Sequence, residues 1–488
     1  MSLINITDLT FAYDGSYDTI FDHVSFRIDT DWKLGFTGRN GRGKTTFLNL
    51  LMGKYEYSGS ISASVQFELF PFPIQHPERM TMEILEEISP DVPFWQLQRE
   101  LSLLEVEEDV LWRAYETLSN GERTKVQLAA LFLRENSYLL IDEPTNHLDL
   151  RGRALVSRYL RSKQGFLLVS HDRAFLDGCV DHILSINKSS IEVCRGDFST
   201  WLENRERRDH FEQAENDKLK KEIRRLSDAA REKAAWSDRV EKSKYGDGSV
   251  DTGYIGHQSA RMMGRAKAIE TRRQKAVEEK SLLLKDLEKK EDLKLVQQQY
   301  HTSRLISARD LGIQYIGKPV FDRLTFTVEQ GDRVALTGKN GSGKSSLLKL
   351  LCGQEIPHTG ILEIGSRLRI SYVPQDTSGL CGGLREFVLQ RQISETQFKT
   401  ILRKLDFSRE QFEKDMSDFS EGQKKKVLLA ASLCEDAHLH IWDEPMNYID
   451  VISRIQLEEL LLRFRPTLLF VEHDKVFCDK IATKTISL

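Results

Sequence analysis

No stretch of the 488 residues approaches the roughly 18 consecutive apolar side chains that a membrane-spanning helix needs, so no such helix is expected. The opening segment, MSLINITDLTFAYDG, lacks a basic region followed by an apolar run and does not read as a secretion signal. Cysteine is scarce: Cys179, Cys194, Cys352, Cys381, Cys434 and Cys478 form no C-x-x-C pair and match no zinc or disulfide spacing. Reduced thiols in a cytoplasmic protein are the expectation. Charge of one sign is also missing overall: the net value of −4 says nothing about partners, so local charge must be read instead. Glycine is absent between Gly196 and Gly246 and again between Gly264 and Gly312. Between those two gaps, four glycines crowd into KYGDGSVDTGYIG, residues 244–256.

What is present is a duplication. LGFTGRNGRGKTTFLNLLMG (34–53) matches VALTGKNGSGKSSLLKLLCG (334–353), YLLIDEPTNHLD (138–149) matches LHIWDEPMNYID (439–450), and LLVSHDRAFLD (167–177) matches LFVEHDKVFCD (469–479). The offset stays between 300 and 302 residues, which means two whole domains rather than a solenoid of short repeats. Each copy opens with short alternating apolar runs. A glycine loop, a helix, a variable middle and a buried apolar strand ending in Asp-Glu follow. That order predicts an α/β fold with a largely parallel sheet in each copy. Residues 1–200 and 303–488 are the expected domains, with 201–302 unmatched between them.

GRNGRGKT and GKNGSGKS both fit G-x-x-x-x-G-K-[ST], a loop whose glycines let backbone N–H groups curl around a phosphate. The lysine adds a point charge, the hydroxyl offers a ligand to Mg²⁺, and the next helix aims its N-terminus at the anion. The expected nucleotide-binding residues are Gly38, Asn40, Gly41, Gly43, Lys44, Thr45 and Thr46 in the first copy. Gly338, Asn340, Gly341, Gly343, Lys344, Ser345 and Ser346 are their counterparts. Asp142 and Asp443 are placed to hold Mg²⁺ with Thr45 and Ser345, and Glu143 and Glu444 to polarise an attacking water. ATP and Mg²⁺ are therefore the expected ligands.

At LSNGE (118–122) and FSEGQ (419–423) the chain resembles the signature of ATP-binding-cassette ATPases. That resemblance implies two cassettes meeting head to tail, each ATP lying between one phosphate loop and the other copy's signature. Lys44, Asp142, Glu143 and His171 then face Ser420 and Gly422, while Lys344, Asp443, Glu444 and His473 face Ser119 and Gly121. His171 and His473 match the switch histidine, Asp149 and Asp450 the D-loop, and Tyr13 and Tyr315 the aromatic that stacks on adenine. Gln375 matches the glutamine that reaches the metal, but the first copy carries Phe72 there, with Gln75 as a candidate substitute. The second copy has Met446 and Tyr448 where threonine and histidine are commoner.

The unmatched segment has neither proline nor glycine from Trp201 to Lys244. Leu219, Ile223, Leu226 and Ala230 recur at heptad spacing, as do Met262, Ile269, Ala276 and Leu283, which predicts two helices folded back as an antiparallel hairpin. From Lys218 to Lys275 there are 16 Lys/Arg against 8 Asp/Glu, a local charge of +8. A charge run is usually a solvated helix face; between two cassettes it points to a phosphate-rich partner. The tip, about 245–260, offers Lys244, Tyr245, Val250 and Tyr254 for contact with RNA or a bound drug.

Two fused cassettes around such a linker resemble the ABC-F class of ribosome-binding ATPases. RNGRGKTTFLNLL, WRAYETLSNGERTKVQLAALF, DTGYIGHQSARMMGRAK and IWDEPMNYIDV are similar to the Lsa-type branch of its antibiotic-resistance proteins, related to the Vga-type proteins. The resemblance implies ribosome protection. The protein enters the tRNA exit site of the 70S ribosome and its linker, the antibiotic resistance domain, contacts 23S rRNA and P-site tRNA. Lincosamides, streptogramin A compounds or pleuromutilins leave the peptidyl-transferase centre. It also implies a monomer with intramolecular cassette pairing and no DNA partner. Two alternatives stand beside this reading: a housekeeping translation factor of the same fold, and the ATPase of a drug exporter.

Overall fold

The structure is a computed structural model that describes residues 2–13, 19–90, 92–146, 148–186, 191–208, 210–211, 214–221, 298–315 and 318–488. The chain divides into two compact units, Met1–Trp201 with Glu291–Leu488, and Leu202–Lys290. The first unit contains both copies of the repeat. The expected hairpin seam beyond residue 221 and the tip residues Lys244, Tyr245, Val250 and Tyr254 lie outside the described residues.

In the first copy, β1 (Leu3–Ala12), β2 (Thr19–Asp29) and β4 (Ser58–Ser62) form an antiparallel sheet in the order β2-β1-β4. Strand β1 buries Ile4 and Ile6, then Leu9 and Phe11. Strict alternation would expose the second pair. The parity changes because Asp8 takes a left-handed φ of 54° where the register with β2 shifts, a bulge that returns apolar side chains to the core face. The second sheet comprises β3 (Lys33–Gly38), β5 (Gln66–Phe70), β6 (Ser137–Asp142), β7 (Phe166–Val169), β8 (His182–Ile186) and β9 (Ile191–Arg195), in the order β5-β6-β7-β3-β8-β9. All its pairings are parallel except β8–β9. The central strands are apolar without alternation because both faces are covered; all four residues of FLLV in β7 are buried. Helix α1 (Lys44–Leu51) lies between the sheets, with Phe47 and Leu48 in one cluster with Ile6, Phe11, Phe36 and Leu140. Each such fully buried side chain contributes roughly 1.5–3 kcal/mol.

The remaining helices of the first copy are α2 (Thr81–Ile88), α3 (Phe94–Leu103), α4 (Asn120–Leu131), α5 (Leu150–Ser162) and α6 (Arg173–Cys179). The second copy repeats the plan. Its antiparallel sheet is β10 (Arg304–Tyr315), β11 (Lys318–Glu329) and β13 (His358–Ile364). Its parallel sheet uses β12 (Arg333–Thr337), β14 (Ile370–Val373), β15 (Leu439–Asp443), β16 (Leu468–Val471) and β17 (Lys484–Ser487), in the order β14-β15-β16-β12-β17. Its helices are α7 (Lys344–Leu351), α8 (Leu384–Gln390), α9 (Glu395–Lys404), α10 (Glu421–Cys434), α11 (Val451–Phe464) and α12 (Lys475–Ile481). Tyr300 already packs into this copy, its hydroxyl donating to the Ser366 carbonyl at 2.7 Å. No helix among the described residues is long and apolar enough to cross a membrane.

Candidate functional site

The phosphate loops sit where β3 and β12 end and α1 and α7 begin. Gly43 and Gly343 cap these helices at φ of 90° and 93°. A Cβ there would stand 2.5 Å from Ile20 and 2.6 Å from Val320, so neither conformation nor space admits another residue. Lys44 folds back into its own loop, donating to the carbonyls of Gly38 (2.7 Å) and Arg39 (3.3 Å) and to Asn40 Oδ1 (3.2 Å). Lys344 likewise donates to the carbonyls of Gly338 and Lys339, both at 2.9 Å. Burial pulls both amines below their ordinary pKa against the attraction of the neighbouring carboxylates. Tyr13 and Tyr315 stand beside the loops, their hydroxyls 2.8 Å from Thr46 Oγ1 and 3.2 Å from Ser346 Oγ.

The carboxylates come from the next strands. Asp142 and Asp443 end β6 and β15, opposite Val169 and Val471. The following glutamates turn sharply: Glu143 and Glu444 both have a left-handed φ of 47°, uncommon for a residue with a side chain. Their amides donate to the Val169 and Val471 carbonyls at 2.9 and 3.0 Å, which fixes the turn. Strain of this kind concentrates at functional sites. His171 Nε2 lies 3.4 Å from Glu143 Oε1, and His473 Nε2 lies 3.6 Å from Glu444 Oε1. The structure therefore brings together Lys44, Thr45, Asp142, Glu143 and His171 around one cavity of about 530 Å³.

The two glutamates differ. Burial, then the charge of Asp142, pushes Glu143 up to about 8. Burial also acts to raise Glu444, but His473 and a hydrogen bond from Gln375 Nε2 (2.7 Å) more than offset it. Asn447 adds a bond to the same oxygen at 2.6 Å. Glu143 Oε1 and Asp443 Oδ1 are buried without a hydrogen-bond partner, as unfilled acceptors that fit a bound cation or water. His171 is held neutral by burial and by the nearby cations.

The first copy carries Phe72 where its loop glutamine would stand. Gln75 does not fill that place: it lies with Phe72, Pro73, Ile74 and Glu87, apart from the cavity at Lys44. Gln127 of α4 is there instead. Its Oε1 accepts from Phe72 N (3.0 Å), and its Nε2 donates to Phe72 O (3.3 Å) and to Tyr115 Oη (2.8 Å). In the second copy Lys425 does the corresponding work, donating to the carbonyls of Pro374, Gln375 and Asp443.

The cassettes face each other in the expected crossed fashion. A second cavity, of about 890 Å³, is lined by Lys344, Ser345, Gln375, Glu444 and His473 from one copy and by Ser119, Gly121 and Asp149 from the other. On the opposite side Asn40 Nδ2 donates to the Tyr448 carbonyl at 2.7 Å, and a Cβ on Gly422 would meet that same pair. Ser119 and Ser420 each cap a helix, closing capping boxes with Glu122 and Gln423. The S-x-x-[EQ] spacing is a readable sign of that cap. Asn146 lines both cavities, and its place in the repeated DEP-x-N stretch was the signal for it. Arg153 and Arg454 are further residues that sequence reasoning missed. Arg153 donates to the His473 carbonyl across the interface (3.2 Å), and the charge of Arg454 bears on Glu143 and His171.

Comparison with known proteins agrees with this geometry. The family model described as ABC transporter matches residues 21–146 and 321–447, more than half of the chain. Ribosome protection protein VmlR of Bacillus subtilis is 29% identical over 97% of this chain and 85% of its own. Energy-dependent translational throttle protein EttA of Haemophilus influenzae is 27% identical over 95% of this chain and 88% of its own. Among solved structures, an archaeal ribosome recycling factor in complex with a ribosomal stalk protein superposes with a TM-score of 0.62 at 19% identity, covering 98% of this chain and 87% of that one. That likeness concerns the fold.

Proposed function

Because the chain belongs to the ABC transporter family, as an ATPase of its ABC-F class with two ATP-binding cassettes, we propose that it is a ribosome-protection factor. ATP closes the cassettes, closure favours the form that binds the tRNA exit site of the 70S ribosome, and hydrolysis releases it. The basic linker reaches 23S rRNA and P-site tRNA, and lincosamide, streptogramin A or pleuromutilin drugs leave the peptidyl-transferase centre. The protein acts in the cytoplasm as a monomer whose cassettes pair within the chain. The end-to-end similarity to a ribosome protection protein, over 97% of this chain, carries the reading.

In each site the phosphate loop and its lysine bind the triphosphate, and Tyr13 or Tyr315 stacks on the base. Ser420 with Gly422, or Ser119 with Gly121, meets the γ-phosphate from the opposite cassette. Glu143 and Glu444 take up the attacking water's proton, while His171 and His473 orient them. Thr45 with Asp142, and Ser345 with Asp443 and Gln375, suit Mg²⁺, whose few protein ligands are completed by phosphate oxygens. When bound, Mg²⁺ neutralises charge on the phosphates. The partnerless Asp443 Oδ1 is consistent with that ligand set. Closure is a population shift: ATP favours the closed form only through contacts that form makes and the open form lacks.

Replacing Glu143 and Glu444 together by Gln lowers kcat by at least about 100-fold, within the range of general-base catalysis. The variant is expected to remain on ribosomes in pelleting assays with ATP. Pelleting no better than wild type would overturn the clamp. A second reading, a translation factor without a drug role, is favoured by the similarity to EttA over 95% of this chain. Inhibitory concentrations for a drug panel, with the intact gene and with Gly246–Gly256 deleted, separate the two. Tolerance that needs the tip supports protection, and no tolerance at all supports the second reading.

A further inference from the structure

The two phosphate loops are held differently by the cassette they face. After α3 and α9 each copy turns through a left-handed residue bearing a carboxylate, Glu105 (φ 50°) and Asp406 (φ 66°). In the first copy that carboxylate stays within its own cassette: Glu105 pairs with Arg151 at 3.2 Å, both largely exposed. The position matching Arg151 in the second copy is Ile452, so Asp406 has no such partner. It reaches across instead. Asp406 Oδ1 lies 3.0 Å from Arg39 Nη1, and its Oδ2 lies 3.6 Å from Arg42 Nη2, both arginines belonging to the first phosphate loop. Arg39 is only 7% exposed and Asp406 24%, so solvent screens this pair less than an open surface bridge.

The second loop has no equivalent. Lys339 and Ser342 stand where Arg39 and Arg42 do. Among the described residues no ion pair joins Lys339 to Glu105, and Ser342 Oγ is buried without a partner.

We propose that Asp406 is a positioning residue acting in trans on the first ATP site: by holding Arg39 and Arg42 it keeps that loop engaged with the opposite cassette. The first site therefore releases nucleotide more slowly than the second. This step rests on the tandem ATPase and not on the ribosomal partner, so its failure would leave the drug-directed reading untouched.

The test uses the full chain with Glu143→Gln and Glu444→Gln, loaded with methylanthraniloyl-ATP and chased with excess ATP. Two release phases are expected. Adding Lys344→Ala removes the fast one, which assigns the slow phase to the first site. Asp406→Asn should speed the slow phase about tenfold, less than truncating a fully buried charge pair because Asp406 is partly exposed. Asparagine tolerates the left-handed backbone, so the fold is preserved. Asp406→Glu should restore slow release, and Glu105→Gln, at a residue lining the second cavity, should leave the slow phase unchanged. Raising salt to about 0.5 M should speed the slow phase more in the parent than in Asp406→Asn. Should Asp406→Asn fold poorly, Arg39→Gln with Arg42→Gln removes the same pair from the other side and must speed the same phase. A slow phase untouched by Asp406→Asn, one lost with Lys344→Ala, or an equal effect of Glu105→Gln overturns the proposal.

Discussion

Gln127 shows one side chain standing in for another from a distant part of the chain. Its amide is fully used by Phe72 and Tyr115, so it positions backbone instead of reaching into the cavity as a ligand. Gln127→Leu, which installs the second copy's residue at this position, leaves Phe72 N, Phe72 O and Tyr115 Oη without that partner. Leaving such groups unpaired costs about 1–3 kcal/mol of stability. With Glu444→Gln silencing the second site, Gln127→Leu should lower residual turnover several-fold. With Glu143→Gln silencing the first, it should change little, and equal losses in both backgrounds would remove the assignment. The phosphate loops and strand-terminal carboxylates were legible because each lies in a short run whose spacing is itself the chemistry, while the histidines followed from the family resemblance. Gln127 was not legible, because its partner Phe72 lies 55 residues away in sequence. The left-handed turn at Glu143 and Glu444 was equally hidden, since nothing in Asp-Glu-Pro specifies φ.

At the level of elements the apolar runs ending in Asp-Glu predict buried parallel strands, and β6 and β15 lie within the two large sheets beside FLLV of β7 and LLFV of β16. The helix starts at Ser119 and Ser420 are set by local capping boxes, chemistry that the S-x-x-[EQ] spacing carries. The bulge at Asp8 and the extra antiparallel strand β9 came from sheet closure and packing, which no local pattern encodes. One buried polar group within β15 has a measurable consequence. His440 stands in this covered strand with its ring near Ser432 Oγ (3.1 Å), and burial lowers its pKa from 6.5 to about 4. The folded state thus prefers the neutral ring. Its stabilising contribution is complete above about pH 6.5 and falls with pH toward 4, because the unfolded chain gains the proton first. The slope approaches 1.4 kcal/mol per pH unit, so about 2 kcal/mol is lost between pH 7 and pH 5. Urea unfolding of His440→Gln should show a correspondingly flatter dependence over that range. Identical slopes in variant and wild type would mean that His440 is not the titrating group.

At the scale of the paired cassettes, charge is buried away from either cavity. Arg173 of α6 donates to both oxygens of Glu458 in α11 and lies 3.7 Å from Asp474. Its side chain and that of Glu458 are about 5% and 4% exposed, and that of Asp474 is 0% exposed. Arg454 and Lys480 complete the cluster at 3.2 and 3.3 Å. The repeat reproduces Arg454–Asp474 as Arg153–Asp172 but not the pair that crosses between copies: Lys475 replaces Arg173 and is exposed, and Ser157 replaces Glu458. This is a charged weld between the copies, more deeply buried than the Asp406–Arg39 pair, made without nucleotide and distinct from the ATP-dependent contacts. Removing one partner from such a cluster leaves a buried charge uncompensated, which costs about 3–5 kcal/mol, whereas replacing both partners with apolar residues is often close to neutral. Arg173→Met should therefore lower the melting temperature and split a single calorimetric transition into two, one for each cassette. Arg173→Met with Glu458→Met should recover most of the loss, because the pair is removed together and Asp474 retains Arg454. If the single variant melts as one transition at the wild-type temperature, other contacts, the Asp406–Arg39 pair among them, join the cassettes.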